Sequence, residues 1–597
     1  MFLPATKEEI NKLHWDKPDI ILISGDVYID SPFNGTAVIG NWLTIHGFKV
    51  AIIAQPDINT DDITRLGEPS LYWAVSAGAM DSLVANYTAT GKFRNEDDLT
   101  PGGINNRRPD RACMVYTNLI RRYFKNTKPI VLGGVEASLR RVVHYDLKDN
   151  KLRRSLIFDS KADILVYGMA EKAMLELSYA LKENKDYRNI KGLCYISKEP
   201  KENYIEIPSF EQCVQDKNSF RQMFKTFYEN SAYVNSKGLN QKHDTRYLIH
   251  NPPQELLTQE ELDKIYDMDF TREVHPYYAK QGAVKAQETI KFSVVSHRGC
   301  CGECNFCAIA VHQGKSVISR SKESVIKEVN KLTQKPDFKG YISDIGGPTG
   351  NMFEIACKVH GTVGKCKNRK CLFPTVCENI IFSHDKQMDL LSEAAKNNKI
   401  KKVFVTSGIR HDLIIADDKE GENYLKYISE HNISGQLKIA PEHISDTVLN
   451  MMGKPKQNTF LDFMNDFDYI NKPLNQFLTC YFMVDHPGCS LNETRELLSF
   501  INKNLNFHPE QVQVFTPTPS TNSTMMYYTE QDLNGNAVFV EKDRNARMKQ
   551  KLTITQGANK PAHKSNGFNN RNNSNRKFSG YKKFGNRNDR FKKRYSK

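Results

Sequence analysis

Residues 289–310 read TIKFSVVSHRGCCGECNFCAIA. The first half carries Ile290, Phe292, Val294 and Val295 in a short apolar run that stops at Gly299, as a buried strand does. Directly behind it stand Cys300, Cys301, Cys304 and Cys307. A strand that opens at its carboxyl end into a thiol-rich loop is where parallel α/β folds keep their chemistry. On spacing alone two ligand registers are open. Cys300, Cys304 and Cys307 give C-x3-C-x2-C; Cys301, Cys304 and Cys307 give C-x2-C-x2-C. Either trio is one short of the four thiolates that close a zinc or iron–sulfur site. Three ligands would leave one iron of a [4Fe–4S] cluster open to a small molecule.

Downstream the same pattern recurs. KGYISDIGG, KKVFVTSGI, SGQLKIAPEH, QFLTCYFMVDHPG and QVQVFTPTPST read as strands, and SKESVIKEVNKLTQ and FLDFMNDFDYINKP as helices between them. Six strands over about 235 residues predict a partial barrel at 286–530. Upstream, DIILISGD, KVAIIAQPD, KPIVLGGVEAS and ADILVYGMAEKAMLELSYAL alternate buried strands with helices. They predict an open parallel α/β sheet at 15–195, similar to flavodoxin and cobalamin domains, with ligand positions near Gly25, Gly133, Gly134 and Gly168. Residues 196–285 read as a partly helical connector and 531–556 as a C-terminal extension.

The chain has 597 residues, 39% of them apolar, enough for more than one core. The chain turns polar within a few residues of Met1, so no secretory signal is expected, and no apolar run reaches the length of a membrane span. A reducing, cytoplasmic setting follows, in which thirteen cysteines point to metal or redox chemistry rather than disulfides. Cys113, Cys194 and Cys213 stand alone and read as small buried hydrophobes; Cys480 and Cys489 read as bystanders. The formal charge of +15 is concentrated in residues 557–597, where thirteen Lys and Arg meet one Asp. The rest of the chain is near neutral, so its charge does not argue for a nucleic-acid-binding active site.

C-x3-C-x-aromatic-C after the first barrel strand, here Cys300, Cys304, Phe306 and Cys307, is the signature of radical S-adenosylmethionine (SAM) enzymes. SHRGCCGECNFCAIAVHQGKSVISRS, SDIGGPTGNMF, IAPEH and FTPTPSTNSTMMYYT further resemble the YgiQ family of radical SAM proteins. So do GDVYIDSPFNGTAVIG and VLGGVEASLRRVVHYD, and the similarity spans roughly residues 15–545. The resemblance selects Cys300, Cys304 and Cys307 as cluster ligands and leaves Cys301 out. It implies a barrel of radical SAM type whose cluster cleaves SAM reductively to a 5′-deoxyadenosyl radical, acting on a substrate the sequence does not name. It also implies a low-potential electron donor such as flavodoxin or ferredoxin. Around SAM it implies Gly346 and Gly347 at the methionine end, Phe306 near the adenine, Ser407 at the ribose or carboxylate, and Glu442 with His443 as polar contacts. Relatives often carry Gly-Gly-Glu where this chain has Gly346-Gly347-Pro348, so a contact made by that Glu is missing here.

Three further expectations complete the reading. Cys357, Cys366, Cys371 and Cys377, interspersed with Lys358, Lys365, Lys367, Arg369 and Lys370, are candidates for an auxiliary zinc or iron–sulfur site. The first loop, GDVYIDSPFNG, lacks the Asp-x-His-x-x-Gly motif of cobalt-ligating domains, so His-ligated cobalamin is not expected. The tail, with Phe and Tyr set among Lys, Arg and Asn, is expected to be disordered and suits RNA contact. The competing reading is therefore a non-catalytic iron–sulfur or zinc protein that binds RNA through this tail.

Overall fold

The computed structural model describes residues 2–359, 366, 369–505, 509 and 512–557. The basic tail therefore lies outside the described residues. Residues up to 557 fall in one compact unit.

The first sheet is built on runs such as Ile20–Ser24 (β1) and Val50–Ala54 (β2), in which every residue is buried. Such runs have no polar face, so they must be covered on both sides. Tyr72–Ser76 (β3), Ile130–Gly133 (β4) and Ile164–Val166 (β5) continue the sheet in parallel. Alternate residues feed two cores. Ile21, Ile23, Trp73 and Leu132 pack into one, and Ile20, Leu22, Tyr72 and Val131 into the other. Helices Gly35–Ile45 (α1), Ala112–Tyr123 (α2), Gly134–Leu139 (α3) and Glu171–Lys182 (α4) connect these strands.

The stretch expected as a connector adds to this sheet. Beyond β5 the antiparallel strand Leu193–Ser197 (β6) is followed by Ile205–Ile207 (β7), Leu239–His243 (β8) and Arg246–His250 (β9), in the order β2-β1-β3-β4-β5-β6-β9-β8-β7. The first sheet unit thus reaches residue 250, well past 195. Leu-Asn-Gln-Lys-His is too polar to read as a strand, yet Asn240 and Gln241 are buried there because their amides bond to Lys201 and Pro208 carbonyls.

The second unit is an arc of parallel strands in sequence order. Ser293–Val295 (β10) pairs with Asp344–Gly346, the second half of β11, whose first half, Tyr341–Ile342, pairs with Lys402–Val403 (β12). A bridge from Ile409 to Ile439 joins the next strand, Gln436–Glu442 (β13), which pairs with Phe477–Val484 (β14), and that with Val512–Val514 (β15). Helices Lys322–Leu332 (α5), Asp385–Ala395 (α6), Gly421–His431 (α7), Gln457–Asn471 (α8) and Leu491–Asn504 (α9) lie between the strands. All six predicted strands are present, and the fold is a mixed α/β one with a partial barrel.

Two connections fix the units to each other. Arg298, at the end of β10, donates to Glu171 at the start of α4 at 2.5 Å, and to the Tyr266 hydroxyl at 2.8 Å. After β15 the chain crosses back to the first unit. The Ser520 hydroxyl donates to the Leu139 carbonyl, and Met525, Met526 and Tyr527 of helix Asn522–Thr529 (α10) join the first core. The final helix, Arg544–Gly557 (α11), closes the barrel end through a buried pair of Arg547 with Asp485 at 2.5 Å.

Candidate cluster and SAM site

The loop after β10 turns sharply at Gly299, whose φ of +80° and close approach to the Ser316 carbonyl admit only glycine. Cys300, Cys304 and Cys307 follow as free thiols, each partly accessible. Cys301 points elsewhere. It is 6% exposed, packs with Met352, Ile355, Leu372 and Leu413, and its sulfur lies 3.9 Å from that of Met352. The adjacent pair differs in burial: Cys301 is a member of that apolar core, while Cys300 packs at its edge and stays partly accessible.

Arg410 is the residue that sequence reading did not single out. Its Nη1 lies 3.4 Å from Cys304 Sγ, while Nε and Nη2 hold Asp412 at 2.7 and 2.5 Å. Asn351 fixes the Arg410 backbone on both sides, and its amide reaches His384, which is itself paired with Asp417 at 2.8 Å. Burial alone would raise the Asp412 carboxyl, but the guanidinium holds it down at about 2. Burial and the neighbouring thiols act the other way on the cysteines: Cys300 is raised, and Cys307 is pushed up to about 12. Three soft donors beside a fixed cation, two of them held neutral by burial, suit a metal cluster that supplies the compensating positive charge.

The other side of the loop is anchored by lysines. Lys315 pairs with Glu303 at 3.0 Å, and Lys370 donates to the Glu303 carbonyl at 2.7 Å and to the Asn305 side chain. Lys370 belongs to the second cysteine segment, so that segment is tied directly to the cluster loop. Within it, Cys357 pairs with Ile380 in a short antiparallel ladder, and the Cys371 carbonyl accepts from Cys377 N–H at 2.9 Å. Burial, then the charges of Glu303 and of Cys357, Cys366 and Cys377, raise Cys371 to about 12. Among the described residues, no three His, Cys, Asp or Glu side chains converge on a single ion position. A cubane does not require that, because each of its irons takes its own thiolate; a single zinc ion does.

Gly346 and Gly347 end β11 beside the thiols: Thr349 Oγ1 lies 3.7 Å from Cys300 Sγ. A side chain on Gly347 would strike His297 at 2.6 Å, and one on Gly346 would meet Ser407 at 3.0 Å. The Ser407 hydroxyl is committed to Asp344, whose other oxygen accepts the Thr406 and Ser407 amides. Glu442 ends β13 in a left-handed turn, φ +70°, an unfavourable conformation of the kind that clusters at functional sites. Burial raises its carboxyl despite the nearby Lys454 and Arg410. Phe306 packs with Met452 and Cys489, its ring edge-on to His486. His443 lies 3.7 Å from Cys489. Cys113, Cys194 and Cys213 are fully buried, as their isolation suggested.

A cavity of about 760 Å³ joins the two units. Gly346, Gly347, Pro348 and Ser407 line its barrel side, and Gly78, Gly133, Gly134 and Gly168 its sheet side. Gly25, expected among these, instead lies against the Ala77 carbonyl, 2.2 Å from where a Cβ would sit. The histidines in the lining, His297 and His312, both come from the barrel. The Ser138 hydroxyl meets His312 Nδ1 at 2.9 Å, carrying α3 onto the cluster loop. Asp26, on the loop after β1, is paired with Arg108 at 2.6 Å. No helix among the described residues is long and apolar enough to cross a membrane.

The Radical SAM N-terminal family model matches residues 2–293. A UPF0313 protein of Fusobacterium nucleatum is 54% identical over 560 residues, covering 93% of this chain and 99% of the relative. A UPF0313 protein of Thermotoga petrophila is 47% identical over 563 residues, covering 93% and 98%. Among solved structures, the radical SAM methyltransferase TsrM of Kitasatospora setae, with tryptophan substrate and the SAM analogue aza-SAM bound, superposes with a TM-score of 0.50. It is 12% identical and covers 91% of this chain and 89% of its own, a likeness of fold alone. With near-complete coverage at this identity, the chain belongs to the UPF0313 proteins, a YgiQ-like radical SAM family.

Proposed function

We propose that Cys300, Cys304 and Cys307 hold a [4Fe–4S] cluster with one iron left for SAM, and that the chain cleaves SAM reductively. When bound, such a cluster passes an electron to the SAM sulfonium, giving methionine and a 5′-deoxyadenosyl radical that takes hydrogen from a substrate. The observation that supports this reading is the 3.7 Å approach of Cys300 Sγ to Thr349, two residues past Gly347. The Gly346-Gly347 backbone would accept the methionine end of SAM. Asp344 and Ser407 would keep the adjoining loop in place for the ribose or carboxylate, and Phe306 and Glu442 would complete the SAM surroundings from the far side. Arg410 would offset the charge of Cys304.

The electron donor would be a flavodoxin or ferredoxin in the cytoplasm. Cys357, Cys366, Cys371 and Cys377 would form an auxiliary site of iron–sulfur type, since a single zinc ion would need a convergence of side chains that the described residues lack. His-ligated cobalamin has no part in the proposal, because the loop after β1 brings Asp26 and Phe33, not a histidine, to the cavity. Anaerobically reconstituted protein with dithionite and SAM is expected to release 5′-deoxyadenosine, and Cys304→Ala to release none. Equal release from both proteins would refute the assignment.

A further inference from the structure

The cavity between the sheet and the barrel has a definite electrostatic character. Among the described residues Arg298 is the only Arg or Lys in its lining, and that guanidinium is already engaged by Glu171 and Tyr266. Asp26, Asp98, Glu171 and Asp344 face the same space or its rim. Among the described residues this wall offers no uncommitted Arg or Lys, so a phosphate would depend on backbone N–H groups alone, with no free counter-charge and with four carboxylates nearby. The remaining surface is mostly aliphatic and thioether: Leu22, Ile39, Val131, Val166, Met169 and Met174 among others. Its rim is apolar too, since Phe33 and Met80 line the cavity while standing 37% and 45% exposed. Large apolar side chains left in water beside a deep apolar cavity mark an entry route for apolar molecules.

Two details sharpen the class of ligand. Glu171 is 2% exposed, and its Oε2 has no hydrogen-bond partner among the described residues. A buried carboxylate oxygen left without a donor is costly, and a ligand N–H or O–H would relieve it. Gly133, at the end of β4, has extended backbone (φ −153°), and a Cβ there would meet nothing within 4 Å. No conformational need explains that glycine; the absent side chain leaves room in the cavity.

We infer that this cavity binds a neutral or cationic, mainly apolar organic molecule carrying a hydrogen-bond donor, and that it does not admit nucleotides or RNA. The inference rests on the proposed function only in taking this molecule to be the substrate presented to SAM; the binding itself does not depend on SAM cleavage.

N-phenyl-1-naphthylamine, a neutral aromatic amine with one N–H, is a suitable probe. Equilibrium dialysis of the full chain, cluster loaded and SAM absent, should show saturable uptake of about one probe per chain. ADP and a hexauridylate should not displace it. The series Gly133→Ala, Gly133→Val and Gly133→Phe should weaken uptake progressively, by at least about tenfold for the Phe variant, with unchanged melting temperatures. Should the Phe variant fail to fold, the Ala and Val steps still carry the trend. Uptake indifferent to the series, or displacement by either phosphate compound, would overturn the inference. Wild-type protein that takes up the probe yet never cleaves SAM would instead count against the proposed function alone.

Discussion

The Arg410 guanidinium lies 3.4 Å from Cys304 Sγ although 106 residues separate them in the chain. Asp412 holds the guanidinium and Asn351 the Arg410 backbone, so the charge is fixed before any cluster arrives. A preorganised cation beside a ligand stabilises the more negative, reduced cluster more than the oxidised one. Arg410→Met should destabilise the fold by about 3–5 kcal/mol, because Asp412 is left buried and unpaired. Arg410→Met combined with Asp412→Leu should recover most of that loss while the cluster midpoint potential stays more negative than in the wild type. Denaturant melts and a redox titration of both variants check the two halves; an unmoved potential would remove Arg410 from the cluster environment.

Cys301 offers a clean discrimination between the two possible registers. It sits in an apolar pocket with Met352 and Leu413, so Cys301→Ala should cost about 1 kcal/mol or less and leave iron and sulfide content unchanged. Cys300→Ala, Cys304→Ala and Cys307→Ala should each lose most of the iron. Metal analysis of the four reconstituted variants distinguishes them.

The Arg298–Glu171 pair joins the barrel to the sheet and is buried at both ends. Arg298→Met leaves Glu171 unpaired and should cost about 3–5 kcal/mol, whereas adding Glu171→Leu should restore much of the stability. Chemical denaturation of the single and double variants reads this directly. A single variant as stable as wild type would show that the pair contributes nothing to docking.

His243 predicts acid sensitivity. It is stacked between Phe158 and Phe210 with neither ring nitrogen hydrogen-bonded among the described residues, and burial pushes its pKa down to about 3. Below the ordinary value of about 6.5 the unfolded chain therefore binds a proton that the folded chain refuses. The stability this histidine contributes is whole above about pH 6.5 and is lost as pH falls toward about 3, at up to about 1.4 kcal/mol per pH unit. His243→Phe should narrow the difference in melting temperature between pH 7.5 and pH 5. An unchanged difference would contradict this assignment.

Where local pattern and tertiary structure coincide, the sequence is readable. The runs Ile-Ile-Leu-Ile and Val-Ala-Ile-Ile can only be strands covered on both faces, and the cysteine spacing after β10 locates the cluster loop. Strand β8 escapes notice because Asn240 and Gln241 are polar yet buried on carbonyls elsewhere in the chain, and β7 and β9 because their few core residues, Ile207, Leu248 and Ile249, sit in short polar segments. Arg410 escapes because an arginine before His411-Asp412 looks like any helix entry until folding brings Cys304 to it. Ser407 was expected to face SAM, yet its hydroxyl is taken by Asp344, a partner 63 residues away that no spacing rule reveals. Phe306 follows the motif, but its ring direction is decided by Met452 and His486 from distant segments.

The claim on which the rest depends is an iron that no residue of this chain ligates. Electron paramagnetic resonance of the dithionite-reduced, fully loaded protein, recorded with and without SAM, tests it most directly. The account predicts a [4Fe–4S]⁺ signal whose g-values move when SAM is added, and Cys301→Ala should behave identically. A spectrum that SAM leaves untouched in protein shown to carry four irons per loop would mean that all four corners are already held, and would contradict it.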